Sequence, residues 1–177
     1  MESNTNEKEL NVKAAADNEK QTKKEKKPVA KKVDIHEYVP VRNGFQGRLV
    51  YVSKRTGEKF VWSEYGDEQE MELLELKNAK NSSKAFFQNN WFMFDESWIP
   101  EYLGVKQFYR YALPLDSFDS LFEMSPEEVK ERISKLSKGQ KKSVAYRARV
   151  LISEGGIDSI RVINALESAL GIELIER

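Results

Sequence analysis

The chain has 177 residues, enough for one domain with or without a small appendage and a real core, and its 29 basic and 29 acidic side chains cancel. It contains no cysteine, which excludes disulfides, thiolate metal sites and cysteine nucleophiles. No apolar run approaches the ~18 residues of a membrane-spanning helix and the N-terminus lacks the apolar centre of a signal peptide, so we expect a protein made in the cytoplasm with no membrane partner.

The even balance hides a segregation of charge. Residues 1–19 hold two lysines against five acids, residues 20–32 seven lysines against Glu25, residues 64–75 six acids and no base, and residues 137–152 five bases and no acid. Such blocks suit surfaces that meet charged partners; solvated faces and a soluble tail explain them equally well. Residues 1–32 carry almost no large apolar side chain beyond Leu10, Val12 and Val29, too few to recover the entropy of ordering, and are expected to be a disordered charged tail. Lys23, Lys24, Lys26 and Lys27 lie in its basic run, which suits a polyanion through counterion release or simply keeps the chain soluble.

Order is expected from Val33, opening an α+β domain over residues 33–122. In Val39-Pro40-Val41-Arg42 the proline cannot donate to a sheet ladder, which places that strand at an edge, and Asn43-Gly44 suits a tight turn. Phe45, Gly47, Leu49 and Tyr51 then alternate with Gln46, Arg48, Val50 and Val52, the period of a strand. A turn over Ser53–Glu58 leads to a returning strand at Phe60-Val61-Trp62, so the segment reads as a β-hairpin with Lys54 and Arg55 at its tip, where a phosphate or an acidic partner has access. Asp67-Glu68-Gln69-Glu70 has capping-box spacing and predicts a helix to about Lys80, with its acids at the positive end of the helix dipole. An all-oxygen metal site from Glu64, Asp67, Glu68 and Glu70 lacks the loop motif that would order it, and no metal or other cofactor is expected.

Twelve of the 19 aromatics fall between Phe86 and Phe122, and that density marks the middle of a core. A helix capped by Ser82 or Ser83 carries Phe86 and Phe87; a helical turn after Asp95 carries Trp98 and Tyr102 and ends at Gly104. If Trp91, Phe92 and Trp98 stand exposed together, they form a partner patch; otherwise they fill the core. Aromatics beside Arg110 also suit base stacking, but without the alternation of an oligonucleotide-binding sheet. Pro114 marks a boundary, and Asp116 is placed to cap a brief helix over Phe118, Leu121 and Phe122.

From Ser125 the only aromatic is Tyr146, and residues 125–177 predict a three-helix module. Ser125-Pro126-Glu127-Glu128 opens the first helix, with Val129, Ile133 and Leu136 as its apolar stripe; Ser137 opens the second and Asp158 the third, which Gly171 ends. In the second helix Lys138, Lys142 and Arg149 fall on one side with Lys141 and Arg147 flanking, a face suited to an acidic protein or to nucleic-acid phosphates. His36, the only histidine, stands beside the tail with no Gly-x-Ser-x-Gly motif, and no Walker spacing occurs, so an enzyme is the least supported class.

The stretch Val41-Arg42-Asn43-Gly44-Phe45-Gln46-Gly47 through Trp62, with Gly66-Asp67-Glu68-Gln69-Glu70, Gly155-Gly156-Ile157-Asp158-Ser159 and Leu170-Gly171-Ile172-Glu173-Leu174, resembles small proteins encoded in tailed phages and prophages of Gram-positive bacteria. The resemblance covers most of the chain after residue 32 and rests on no diagnostic motif. It implies a non-enzymatic virion or assembly role in the host cytoplasm or the particle, exercised through protein contacts with virion components or further copies, and carries over no functional residue. A nucleic-acid-binding accessory or regulatory protein using the tail and residues 138–152 is the alternative.

Overall fold

Val39 and Val41 are buried while Tyr38, Pro40 and Arg42 are not, and this alternation makes Tyr38–Asn43 a strand, β1, with one face in the core. The computed structural model describes residues 33–175 and shows an α+β fold. The hairpin is present as β2 (Leu49–Val52) and β3 (Lys59–Trp62), closed by the Ser53 amide on the Glu58 carbonyl at 2.8 Å and by Gly57 at φ 76°. Leu49 and Tyr51 face inward and Val50 and Val52 outward, as the period of two predicts.

Three expectations for this half are corrected. β1 is the middle strand of a second sheet, ordered β4-β1-β5, and Pro40 is tolerated there because β5 (Phe92–Met93) pairs only with Arg42 and Asn43. Asn43-Gly44 is not a tight turn. Asn43 ends β1 with its side chain buried, donating to the Gly47 and Glu64 carbonyls at 2.8 Å and accepting from the Phe45 amide. Gly44 is needed for space: a Cβ there would lie 2.1 Å from the Asn90 carbonyl. The acidic stretch is β4 (Glu68–Glu72), antiparallel to β1 with Met71 opposite Val39, and the helix α1 starts only at Leu73 and runs to Ser82. Pairing with β1 and burial of Met71 override the helix propensity of the glutamates. Asp67 accepts instead from the Ser63 and Glu64 amides, while the first amides of α1 bond the Glu37 and Ile35 carbonyls.

Beyond α1 lie α2 (Ala85–Gln88), β5 and α3 (Trp98–Tyr102), followed by Gly104 in the left-handed region at φ 67°. Leu115–Glu123 is 3₁₀ structure, and Asp116 does not cap it. The helical module is present: α4 (Pro126–Ser134) begins in a capping box of Ser125 and Glu128, α5 (Lys138–Ser153) is capped by Ser137, and α6 (Ile160–Leu170) ends at Gly171, φ 68°. The N-cap of α6 is Ser159 rather than Asp158, one residue later than predicted.

Two buried clusters result. The strands, α1 to α3 and their aromatics enclose the first, centred on Tyr51, Trp62, Phe87 and Phe92. The second is aliphatic, and it draws in Leu113, Phe118, Leu121 and Phe122 from the stretch grouped by composition with the aromatic domain. The contacts between them are close and polar. Gln140 of α5 holds the Leu113 backbone on both sides, accepting from its amide at 3.0 Å and donating to its carbonyl at 3.2 Å, and the Ser143 hydroxyl donates to the Gly44 carbonyl. Gly139 lets α5 approach so nearly that a Cβ there would stand 2.2 Å from the Asn89 carbonyl.

Candidate functional site

α5 is held along most of its circumference. Gly139 and Ser143 meet the Asn89 and Gly44 backbones, Gln140 clasps Leu113, and Val144 and Ala148 enter the aliphatic core. Its exposed residues are therefore Lys138, Lys142, Tyr146, Arg149 and Ser153, one stripe at helical spacing without an acid. From Lys138 to Arg149 the stripe is about 16 Å long at the rise of an α-helix. Neither lysine makes an ion pair among the described residues, and Arg149 donates to the Glu173 carbonyl at 3.1 Å. Tyr146, 56% exposed between Lys142 and Arg149, is a stripe member that reasoning from charge alone passed over; its spacing of four from Lys142 was the available signal.

The cation set read from the sequence is thinned by the structure. Arg147 turns away from the stripe and grips Asp119, with Nε 2.9 and 3.1 Å from the two carboxylate oxygens; that bond lifts the guanidinium's pKa above its ordinary value, against a smaller effect of burial. Lys141 is half-buried at the stripe's margin. Lys54 is exposed at the hairpin tip, but Arg55 beside it folds back onto Glu75 at 3.2 Å and Glu72 at 3.3 Å. Lys23, Lys24, Lys26 and Lys27 lie outside the described residues.

The aromatic trio does not form one exposed patch. Phe92 is wholly buried among Tyr51, Trp62, Phe86 and Phe87. Trp91 is half-buried against Phe45 and Phe86, whereas Trp98 packs with Tyr102. The rings serve chiefly as core because β5 carries Phe92 into the sheet beside Asn43.

Comparison with protein-family models, curated proteins and solved structures yields no match for this chain.

Its surfaces therefore have to be read from their own chemistry. Among the described residues no group of three or more histidine, aspartate or glutamate side chains is placed to hold a metal ion, and no helix is long and apolar enough to cross a membrane. A cleft of about 220 Å³ opens where the two clusters meet, lined by Gln88, Asn90, Gln107, Tyr111 and Lys135. Its one charged side chain, Lys135, is engaged by Glu131 at 2.6 Å. Arg42 is a further residue the sequence left unremarked: it reaches from β1 to Asp95 at 3.1 Å and to Asp116 at 3.0 Å, and the bond to Asp116 raises its pKa while holding that carboxyl below its usual value.

Proposed function

We propose that this chain is a non-enzymatic structural or assembly protein that acts through protein–protein contacts, with the α5 stripe docking an acidic surface. What carries this reading is that every exposed position of α5 belongs to a single acid-free stripe of three cations around an exposed tyrosine, on a helix otherwise locked in place. A pre-positioned stripe loses little freedom on binding, and tyrosine and arginine are the residue types enriched in binding hot spots. The resemblance to small proteins of tailed phages and prophages supplies the setting, a virion or its assembly. Mass spectrometry of purified particles tests that setting: the protein is expected among the components, and its absence there refutes the structural reading.

A second reading, binding to DNA or RNA, is favoured by the same cations. Three cations neutralise at most three phosphates, which corresponds to a salt slope of about −3 at most, shallow beside nucleic-acid binders with twice as many contacts or more. A low-salt gel shift of generic DNA or RNA separates the readings. Binding that weakens with added salt and is abolished by Lys138→Glu with Lys142→Glu would replace the protein-contact reading; because the lysine-rich tail remains in that variant, a shift that survives it leaves the stripe to a protein partner.

A further inference from the structure

Since Val39, Val41 and Met71 fill the core side of the β4-β1-β5 sheet, Tyr38, Pro40, Arg42, Glu68, Glu70 and Glu72 share its other face. Arg42 lies directly across from Glu68, yet its guanidinium is taken by Asp95 and Asp116. Glu72 is likewise engaged, by His36 and Arg55. Glu68 and Glu70 stay exposed with no ion-pair partner among the described residues, beside Tyr38, which at 64% is the most exposed large apolar side chain among them. The sheet face is thus two free carboxylates beside an exposed tyrosine, and the α5 stripe is free ammonium groups beside another.

We infer that these faces are the two halves of one interface, the α5 stripe of one copy docking on the Tyr38, Glu68 and Glu70 face of a second copy of this chain. The inference rests on reading the stripe as a protein-contact surface and goes beyond it by naming the partner. Glu68 and Glu70, two apart on a strand, are separated by about 7 Å, and Lys138 and Lys142, one helical turn apart, by about 6 Å along the axis, so each carboxylate can meet one ammonium. Pairing α5 with α5 sets lysine against lysine or arginine, and pairing sheet with sheet sets glutamate against glutamate; only the unlike pairing is attractive. Two different patches make a heterologous contact, which builds a ring if the rotation closes and a filament if it does not. A chain whose charges cancel overall but are segregated on its surface has the composition such an assembly needs.

Sedimentation velocity of the full chain across a range of protein concentrations, in low and in high salt, tests this. The wild type is expected to form species larger than a monomer in low salt, to grow with concentration and to dissociate in high salt. Lys138→Glu with Lys142→Glu has two acidic faces, Glu68→Lys with Glu70→Lys has two basic ones, and each variant alone is expected to stay monomeric. Their equimolar mixture is expected to assemble again, because every reversed face then meets its complement; recovery on mixing also shows that both variants are folded. A wild type monomeric under all conditions overturns the inference, as does a mixture that stays monomeric while both variants melt like the wild type. If such a monomer is still found in purified particles and its Lys138→Glu, Lys142→Glu variant is not, only the identity of the partner has failed. If instead the wild type shifts DNA in low salt and that variant does not, the protein-contact reading has failed with it.

Discussion

Around the strands the buried volume is ring-rich, with Tyr51, Trp62 and Phe87 each against Phe92, the first and last of them nearly perpendicular to it; around α4 to α6 it is aliphatic, with Val129, Ile133, Val144 and Leu166, and Tyr65 on Phe118 as its ring pair. The rings also bring polar atoms inside that need fixed partners. Trp62 Nε1 donates to the Val41 carbonyl at 2.8 Å and the Tyr51 hydroxyl to Glu75 at 2.6 Å, so each ring has one acceptable orientation. The aliphatic cluster asks only for complementary shape between helices whose ends are set locally by Ser125 and Ser137. One half of the molecule is specified by direction, the other by volume and caps.

The largest effect should come from removing a directional member. Trp62→Ala is expected to cost about 4–5 kcal/mol, since it empties the ring site and removes the indole bond to the Val41 carbonyl, whereas Leu166→Ala should cost about 3 kcal/mol from transfer and cavity alone. Urea denaturation followed by far-UV circular dichroism measures both. One shared transition is expected for each variant, because the two clusters meet through Gln140, Ser143 and Gly139. Two resolved transitions would show that the halves fold independently and that the contrast between them extends to cooperativity.

Gly139→Ala attacks that joint directly. The added carbon meets backbone rather than a pliant side chain, so α5 must shift, at a cost of about 2–3 kcal/mol, and the Leu113 clasp loosens with it. Broadening or splitting of the urea transition in this variant, beyond what Leu166→Ala produces at similar stability, is the expected sign. A transition as sharp as the wild type's would place the coupling elsewhere, in Arg42 and its carboxylates.

How legible each half was from sequence follows from the same contrast. The helical module was readable because its signals are local: serine caps, Pro126, Gly171 and a stripe of Val129, Ile133 and Leu136. The hairpin was readable for the same reason. β4 was not, because Asp67–Glu70 has capping-box spacing while Glu68–Glu72 also alternates as a strand does, and only its distant partner β1 chooses between them. In the candidate surface Lys138, Lys142 and Arg149 were legible from helical spacing, while the loss of Arg147 to Asp119 and of Arg55 to Glu75 depends on contacts that no spacing encodes. Gly139 lies just inside the helix that Ser137 opens, and its need for close approach to Asn89 appears only in three dimensions.

Glu75 gives a smaller, pH-dependent contrast, since among the described residues the directional core holds a buried carboxylate and the aliphatic one does not. Burial pushes its pKa up, but bonds from Tyr51, Ser53, Asn78 and Arg55 together outweigh burial and hold it below the ordinary 4.5. A carboxyl whose folded pKa is depressed adds stability above its unfolded value, and that increment is lost as pH falls through the folded value. The urea midpoint should therefore decline as pH drops below about 4.5. Glu75→Gln should flatten this decline while lowering stability at neutral pH by about 1–3 kcal/mol, because the Tyr51 hydroxyl and Arg55 lose a charged acceptor. An unchanged acid slope in that variant would assign the acid sensitivity to the exposed carboxylates.

The smallest effect divides α5 itself, where Arg147 and Arg149 are two residues apart, the first flanking the basic face read from the sequence and the second on it. Arg147 is spent within the fold on Asp119, a partly exposed pair, so Arg147→Gln should lower stability by less than about 1 kcal/mol. It should leave self-assembly in low salt where it was, since its guanidinium does not face the stripe. Arg149 belongs to the exposed stripe and its bond within the fold is to the Glu173 carbonyl, so Arg149→Gln should leave the melting temperature almost unchanged while weakening assembly. Melting curves and sedimentation on the two variants give a crossed result if the stripe is the docking element: stability moves with position 147 and association with position 149. If both variants weaken association equally, net charge on the helix governs binding rather than the stripe's geometry, and a diffuse polyanion contact would then explain the cations better than a matched face.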